Sequence, residues 1–378
     1  MRVVLACHRY HPVPGGSERI AQLLAEAATR AGHTATVVTQ SEPGVPDREE
    51  FHGVKVRRLR MRHVGGVRVP VDYHRTLREI GGDVFHLHGN RIWCADFYLP
   101  LAGLYPWAQL GTGHGFYQYA IGRRAWDRWY FERYFPRVLR NLDVYVCDTE
   151  HERRQLRSWG VPEGKLLRIP LGAVTDEFAR SPIPVDEVRS SWGFRAPHVA
   201  VYVGGFFENK RVDRLIEAVA RTAGRWALVA IGRDLADSPY RREVCEALAR
   251  QRGVELLSTG PLPRDATVAA MLAADAVVSA SEYEGFGVTL AESLAAGRPF
   301  VAWPTGAAPE MAATGGGLLA DSIEAFAAAL ERLEDATTRR SIGARGRAAS
   351  ADWSESAMAR RYLELYERLA GARPRPSA

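Results

Sequence analysis

The feature that most constrains this chain is an alternation. Short β-branched apolar runs alternate with stretches of helical periodicity almost from end to end. Val3–Cys7 reads as a buried strand. The Pro/Gly turn Pro12-Val-Pro-Gly15-Gly16 follows it, and then a helix to about Ala31 with Ile20, Leu23, Leu24 and Ala27 on one face. The same signal predicts strands at Thr34–Thr39, Val54–Leu59, Val84–Leu87, Gln109–Thr112, Val144–Cys147 and Leu166–Ile169. Runs that are apolar at consecutive positions need cover on both faces, which a parallel sheet with crossover helices provides.

The alternation breaks once, in the proline-rich stretch from Ser181-Pro-Ile-Pro-Val to Phe194-Arg-Ala-Pro197, which we read as a domain boundary. It restarts at Val199–Val203 and continues through Ala227–Ile231, Val254–Ser258, Ala276–Ala280 and Phe300–Ala302, with a last helix near Ser354–Leu369. The expectation is an α/β chain of two Rossmann-like doubly wound domains, residues 1–180 and 181–355, facing across a cleft at the carboxyl ends of their strands.

Composition narrows the function. With 46% hydrophobic and 25% charged residues among 378, the chain is a folded protein of two ordinary domains. A net charge of +6 suits an anionic ligand, but no zinc spacing, aromatic-basic RNA signature or recognition-helix pattern points to nucleic acid. Cys7, Cys94, Cys147 and Cys245 are too scattered for a metal site and read as buried thiols. His8, His11, His86 and His88 fall at strand ends, where hydrogen-bonded walls are commoner than ligand sets. Val3–Cys7 is too short for a signal-peptide core and no run reaches membrane-span length, so the expected location is the cytoplasm. The aromatic and basic stretch Arg123-Arg124-Ala-Trp126-Asp-Arg128-Trp129-Tyr130-Phe131-Glu-Arg133-Tyr134-Phe135 admits peripheral membrane contact, helped by Lys55, Arg57, Arg58, Arg60 and Arg62. The favoured reading is a domain helix with its aromatics packed inward.

The chemistry concentrates in Ser279-Ala-Ser-Glu282-Tyr-Glu284-Gly285-Phe286-Gly287-Val288-Thr289-Leu-Ala-Glu292. A strand ends here in a glycine-spaced turn that opens a helix, so free backbone N–H groups meet the positive helix end and form a seat for phosphate. Glu284 and Glu292 flank that seat, and carboxylates accept hydrogen bonds from vicinal hydroxyls. Glu282 reads as a solvated acid at the helix start.

This segment resembles the Glu-x7-Glu signature of the retaining glycosyltransferase family 4, which has the GT-B fold. Further features of that family occur in order. Pro14-Gly15-Gly16-Ser17-Glu18 resembles its N-terminal glycine loop, and Thr112-Gly-His114-Gly115 its histidine-glycine motif. Ile169-Pro170-Leu-Gly172-Ala173 resembles the turn that closes the first domain, and Val203-Gly204-Gly205-Phe-Phe-Glu-Asn-Lys210 the glycine-to-lysine motif that opens the second. The resemblance implies transfer of a hexosyl or related sugar from a nucleotide-sugar, with UDP expected before GDP. It further implies retention at the anomeric carbon, no metal ion and no cofactor, the nucleotide-sugar being a co-substrate.

The resemblance also assigns roles. Lys210 lies against the diphosphate, and Gly15 and Gly16 allow the backbone of the opposite domain to approach it. Gly285, Phe286, Gly287, Val288 and Thr289 hold the phosphates from below. Glu284 orients a sugar hydroxyl and Glu292 the ribose, Leu262 borders the base, and His114 borders sugar and acceptor. Residues 356–378 form a helix and tail packing back on the first domain. The acceptor, a small molecule, glycan or lipid, meets the first domain through His88, Asn90, Trp93, Phe116 and Tyr117. One position departs from the family pattern. Gly205 stands where an arginine usually joins the lysine in clamping the diphosphate, and Arg211 is the nearest substitute in sequence. Two rival readings use the same architecture: a non-catalytic nucleotide-sugar-binding protein, and a nucleotide-sugar 2-epimerase.

Overall fold

The computed structural model describes the chain except residues 14–15, 66, 91, 117–124, 174, 180–182, 235–240 and 373–378. It divides into two compact units, Met1–Pro170 with Met358–Ala378, and Leu171–Ala357.

The first unit is built on β1 (Arg2–Cys7), β2 (Thr34–Gln40), β3 (Arg48–Phe51), β4 (Val54–Leu59), β7 (Val84–His88), β8 (Ala108–Thr112), β9 (Val144–Cys147) and β10 (Leu166–Arg168). Their order is β10-β9-β8-β7-β1-β2-β4-β3, parallel except for β3 at the edge. A separate hairpin, β5 (Met61–Val64) with β6 (Val67–Pro70), follows β4. The central strands are buried along their whole length, as β7 and β8 show, because helices cover both faces. The core on one face gathers Phe85, Tyr98, Trp107, Phe131 and Phe135.

The carboxyl-terminal helix Glu355–Ala372 joins this unit from Met358 onward. Tyr366 Oη lies 2.8 Å from His86 Nδ1, His86 Nε2 lies 2.9 Å from Thr112 Oγ1, and Thr112 Oγ1 lies 2.9 Å from Tyr362 Oη. Every member of this chain is buried, so each bond satisfies a group that would otherwise be costly to bury.

The second unit is a six-stranded parallel sheet. Its strands are β11 (His198–Val203), β12 (Trp226–Ile231), β13 (Leu256–Gly260), β14 (Ala276–Ser279), β15 (Phe300–Ala302) and β16 (Gly317–Leu319), in the order β13-β12-β11-β14-β15-β16. In each sheet the strand order reverses once in the middle, between β1 and β7 in the first and between β11 and β14 in the second. Loops diverge at such a switch point and leave a crevice at the carboxyl ends of the strands. Both motif clusters lie at those ends.

Candidate active site

In the second unit, β11 runs into Gly204-Gly205 and a single helical turn, Glu208–Lys210, while β14 runs into the glutamate turn and the helix Val288–Ala296. The two loops are tied together. The Glu282 amide donates to the Asn209 carbonyl at 2.8 Å, and the Thr289 hydroxyl lies 3.3 Å from the Val203 carbonyl. Lys210 Nζ is thereby held 2.5 Å from Glu284 Oε1, which also accepts from the Ser281 hydroxyl at 2.7 Å. Gly287 is the N-cap of the helix with φ 97°, a left-handed conformation that costs glycine little. Gly306 packs on the back of the turn, where a Cβ would stand 2.7 Å from the Phe286 carbonyl oxygen and 2.9 Å from Glu284 Cβ. Phe286 is buried, Gly285 lies in the turn, and Val288 is 39% exposed at the first position of the helix.

Glu292 lies on the same helix and is buried. Burial raises its carboxyl above the ordinary range, opposed by Arg264, whose Nη1 is 2.6 Å from Glu292 Oε1. Arg264 begins the helix Arg264–Ala273 two residues beyond Leu262, so that ion pair joins the Leu262 turn to the glutamate helix.

Arg211, expected on the donor-phosphate side, has a left-handed backbone, φ 49°. Its guanidinium is paired with Asp213, Nη2 to Oδ2 at 2.8 Å, and with Glu282. Glu282 is not a solvated acid alone, since it also accepts from Arg214 at 2.5 Å.

Sequence reasoning missed a different cation. Arg233 follows β12, beside the glycine loop: the Gly204 amide donates to the Ile231 carbonyl at 2.8 Å and the Phe206 amide to the Arg233 carbonyl at 3.0 Å. The loops run so close that a Cβ on Gly232 would lie 1.8 Å from the Gly204 oxygen. A Cβ on Gly205 would lie 2.5 Å from the Phe207 ring, so that ring fills the space an arginine stem at 205 would need. The Arg233 guanidinium stands over the same ring, 5.5 Å from its centroid. It is exposed and forms no ion pair among the described residues.

In the first unit a cavity of about 230 Å³ opens at the carboxyl ends of β1, β7 and β8, lined among others by Ser17, His88, Asn90, Gly113 and His114. His114 and Gly115 both have left-handed backbone, φ 58° and 85°. His114 Nδ1 is 2.8 Å from the buried Asp148 Oδ2, and His114 Nε2 is 2.8 Å from His88 Nε2. His88 Nε2 is also 2.9 Å from the Ser17 carbonyl, which can only accept. One arrangement of protons fits: His88 donates from Nε2, His114 accepts at Nε2, and His114 donates from Nδ1 to Asp148. Burial, with His114 and His86 nearby, holds His88 well below the usual histidine range, so it is neutral.

Behind Asp148, Thr149 caps the helix Glu150–Ser158, accepting from the Glu152 amide at its Oγ1 at 3.1 Å, while Glu152 Oε2 reaches back one residue past the cap to accept from the Asp148 amide at 2.9 Å. Burial and the adjacent Asp148 push the Glu152 carboxyl up to about 8. Neither acid was singled out in the sequence. The Thr149-x-x-Glu152 spacing is the one signal that marks them.

Asn90 is placed by the Tyr145 hydroxyl, which donates to its Oδ1 at 2.8 Å. Trp93 and Phe116 correct the acceptor-side expectation. Trp93 is 5% exposed and packs edge-on against Tyr73, and Phe116 is 1% exposed among Phe131, Phe135 and Trp159. An aromatic ring at a strand end gains more by burial than by facing water, and both are core residues here. Gly15 and Tyr117 lie outside the described residues. Gly16 is at the first turn of its helix, and a Cβ there would meet no atom within 4 Å, so no internal contact requires glycine. Of the aromatic-basic stretch, Tyr130, Phe131 and Phe135 pack inward, whereas Trp126 and Trp129 stack on each other and are 60% and 47% exposed. Arg123 and Arg124 lie outside the described residues.

The four cysteines are buried free thiols, and burial pushes Cys7 up to about 12. Among the described residues, no group of His, Cys, Asp and Glu is arranged to hold a metal, and no helix is long and apolar enough to cross a membrane.

Known proteins resemble this chain over both units. The model of Glycosyltransferase Family 4 matches residues 14–177, and that of Glycosyl transferases group 1 matches residues 185–349. A GDP-mannose-dependent alpha-(1-6)-phosphatidylinositol dimannoside mannosyltransferase of Mycobacterium tuberculosis is 27% identical, over 94% of this chain and 94% of that protein. A D-inositol 3-phosphate glycosyltransferase of Corynebacterium aurimucosum is 32% identical over 53% of this chain and 50% of its own length. Among solved structures, sucrose-phosphate synthase from Thermosynechococcus elongatus shares the fold with a TM-score of 0.80, covering 98% of this chain and 99% of that one at 22% identity. The chain thus belongs to the retaining glycosyltransferases of family 4, and it is a nucleotide-sugar-dependent glycosyltransferase of the GT-B fold.

Proposed function

We propose that the protein transfers a hexosyl residue, mannose first, from a GDP-sugar to a hydroxyl of a phosphate-bearing or lipid-linked acceptor. The GDP preference reverses the order read from sequence. It rests on the mannosyltransferase that matches this chain nearly end to end, whose acceptor is also a lipid. The reaction retains the anomeric configuration by front-face substitution and uses no metal ion. A cytoplasmic location fits the donor and the four free thiols.

The observation that carries this reading is the Lys210–Glu284 pair at the mouth of the helix Val288–Ala296. Without ligand, the ammonium and the carboxylate neutralise each other. A donor diphosphate seated on the helix N-terminus takes over Lys210 as its counter-ion, and the released Glu284 oxygens accept from a sugar hydroxyl. As the glycosidic bond to phosphate breaks, charge gathers on the leaving diphosphate, and Lys210 stabilises it where water is scarce. Arg233 supplies the second cation that Gly205 cannot. In the first unit, Asp148 fixes the tautomer of His114, and His114 and His88 form the wall that meets sugar and acceptor. Glu292 holds the ribose from its pairing with Arg264.

The test is donor turnover. Purified protein is incubated with GDP-mannose, UDP-glucose and ADP-glucose, with and without EDTA, and release of nucleotide is followed beside melting-point shifts. GDP-mannose cleavage that survives EDTA supports the reading. Stabilisation by a UDP-sugar alone moves the donor to UDP, and the absence of any nucleotide-dependent shift or turnover sinks the assignment of the donor site.

A further inference from the structure

The outer edge of the first unit's sheet carries charge that the site above does not use. β3 and β4 pair with Arg48 directly opposite Arg57. The Arg58 amide donates to the Asp47 carbonyl at 2.8 Å, a bond that flanks this pair. Arg48 and Arg57 therefore form a non-hydrogen-bonded pair, the kind in which Cα atoms come within about 4.5 Å and side chains stand closest. Like charges facing each other there oppose the sheet. Arg57 also shares a face with Val38, its partner in β2, and Val38 belongs to one buried cluster with Tyr73 and Leu77 of the helix Tyr73–Ile80. The two arginines thus lie on the face that this helix covers.

A cavity of about 180 Å³ opens there between strand edge and helix, with five arginines and three acids on its walls. The three acids are engaged locally. Arg75 pairs with Asp72 and Glu79, and Asp47 accepts from the Ser41 hydroxyl. Arg58 is turned to Glu49 and to the carbonyls of Pro46 and His11. Arg48, Arg57 and Arg60 have no ion pair or side-chain hydrogen bond among the described residues. Nη1 of Arg57 is closed off from solvent with nothing to donate to, a condition that native folds seldom leave unrelieved.

We propose that this pocket binds a phosphate group, held by the guanidinium groups of Arg48, Arg57 and Arg60 with the Thr76 hydroxyl as a further donor. Guanidinium forks match the oxygens of a phosphate, and an anion between Arg48 and Arg57 turns their repulsion into a shared attraction. The phosphate belongs either to a soluble phosphorylated metabolite or to the headgroup of an anionic lipid. The proposal does not depend on the donor assignment, which uses residues of the other unit.

The full chain is melted in phosphate-free buffer and with inorganic phosphate, chloride holding ionic strength constant, as wild type, Arg48→Gln, Arg57→Gln, Arg62→Gln and Lys210→Ala. It is also sedimented with vesicles of phosphatidylcholine alone and of equimolar phosphatidylcholine and phosphatidylglycerol. Phosphate should raise the melting point of the wild type, of Arg62→Gln and of Lys210→Ala. Apparent phosphate affinity should fall about tenfold or more in Arg48→Gln and Arg57→Gln, the loss of one charge-assisted contact. In phosphate-free buffer Arg48→Gln should melt no lower than wild type, because it relieves the repulsion, so its loss of response is not a loss of fold. Sedimentation with the anionic vesicles that needs Arg48 and Arg57 and is competed by phosphate identifies a lipid headgroup. A phosphate response without such sedimentation identifies a soluble ligand. If phosphate stabilises nothing, if its effect is indifferent to Arg48 and Arg57, or if Arg48→Gln melts well below wild type without phosphate, the proposal is overturned.

Discussion

Replacing Arg233 by glutamine tests whether the cation missing at Gly205 has been restored from the neighbouring strand. The side chain stands over Phe207, the ring that fills the space beside Gly205, and no carboxylate among the described residues competes for it. A charge-assisted hydrogen bond to a phosphate oxygen contributes about 1.5–3 kcal/mol. Arg233 is exposed, so screening places the expected value near the lower end, a loss of about tenfold in affinity. The change should fall on the diphosphate alone. Calorimetric titration with GDP and GMP separates the two: Arg233→Gln should weaken GDP about tenfold and leave GMP unchanged, reducing the advantage of the second phosphate, while Arg233→Lys recovers part of it. Loss of the contact with Phe207 costs about 0.5–1 kcal/mol of stability at an exposed site and produces only a small drop in melting point. A purely structural role would lower the melting point and leave the GDP-to-GMP ratio where it was. An unchanged ratio in Arg233→Gln, with wild type binding GDP normally, would refute the reasoning while leaving the donor site itself intact.

Four other substitutions, at three places, reach different parts of the molecule. Lys210→Ala should cut donor turnover by about 10²–10³, whereas Glu284→Gln should keep GDP affinity and lose sugar turnover, read by comparing GDP titration with GDP-mannose cleavage. Glu152 is held protonated in the fold, pushed up to about 8, so the folded state binds more protons than the unfolded one between the ordinary glutamate range and that value. Stability must then fall as pH rises through that window. Between pH 6.5 and 8 the slope should be no steeper than about 1.4 kcal/mol per pH unit, and Glu152→Gln should flatten it in melting curves. A wild type as flat as the variant would contradict the protonated carboxyl. Gly113→Ala would place a Cβ 1.9 Å from Asn90 Nδ2 and 2.0 Å from the Tyr145 hydroxyl, which forces that hydrogen-bonded pair apart. A loss of about 1–3 kcal/mol in denaturant unfolding is expected.

The limits of the sequence reading follow from how far each signal extends along the chain. Val54–Leu59, Val144–Cys147 and Phe300–Ala302 occur in the structure with the bounds the pattern predicts; the last two are apolar throughout, as strands covered on both faces are, whereas β4 is marked by its alternating Val54 and Val56, both buried. β3 escaped notice because it is the charged sequence Arg-Glu-Glu-Phe, an edge strand half open to solvent, and β16 because Gly317-Leu-Leu, at an edge of its own sheet, has no fully buried residue. The glycine turn before Val288 was legible for a similar reason, since left-handed backbone and helix start are encoded within a few neighbouring residues. Arg233 was not. What brings it to Phe207 is the pairing of β11 with β12, which sets Val203 beside Ile231 and the two following loops side by side, and that pairing leaves no mark in the nearby sequence. Asp148 is hidden in the same way, because it reaches His114 only where β8 and β9 end side by side. Trp93 and Phe116 show the converse error, since an aromatic residue beside a strand end looks the same in sequence whether it faces a ligand or the core. Local backbone chemistry can therefore mark a candidate seat for a phosphate, while the side chains around that seat are fixed by strand register and become visible only once the sheet is assembled.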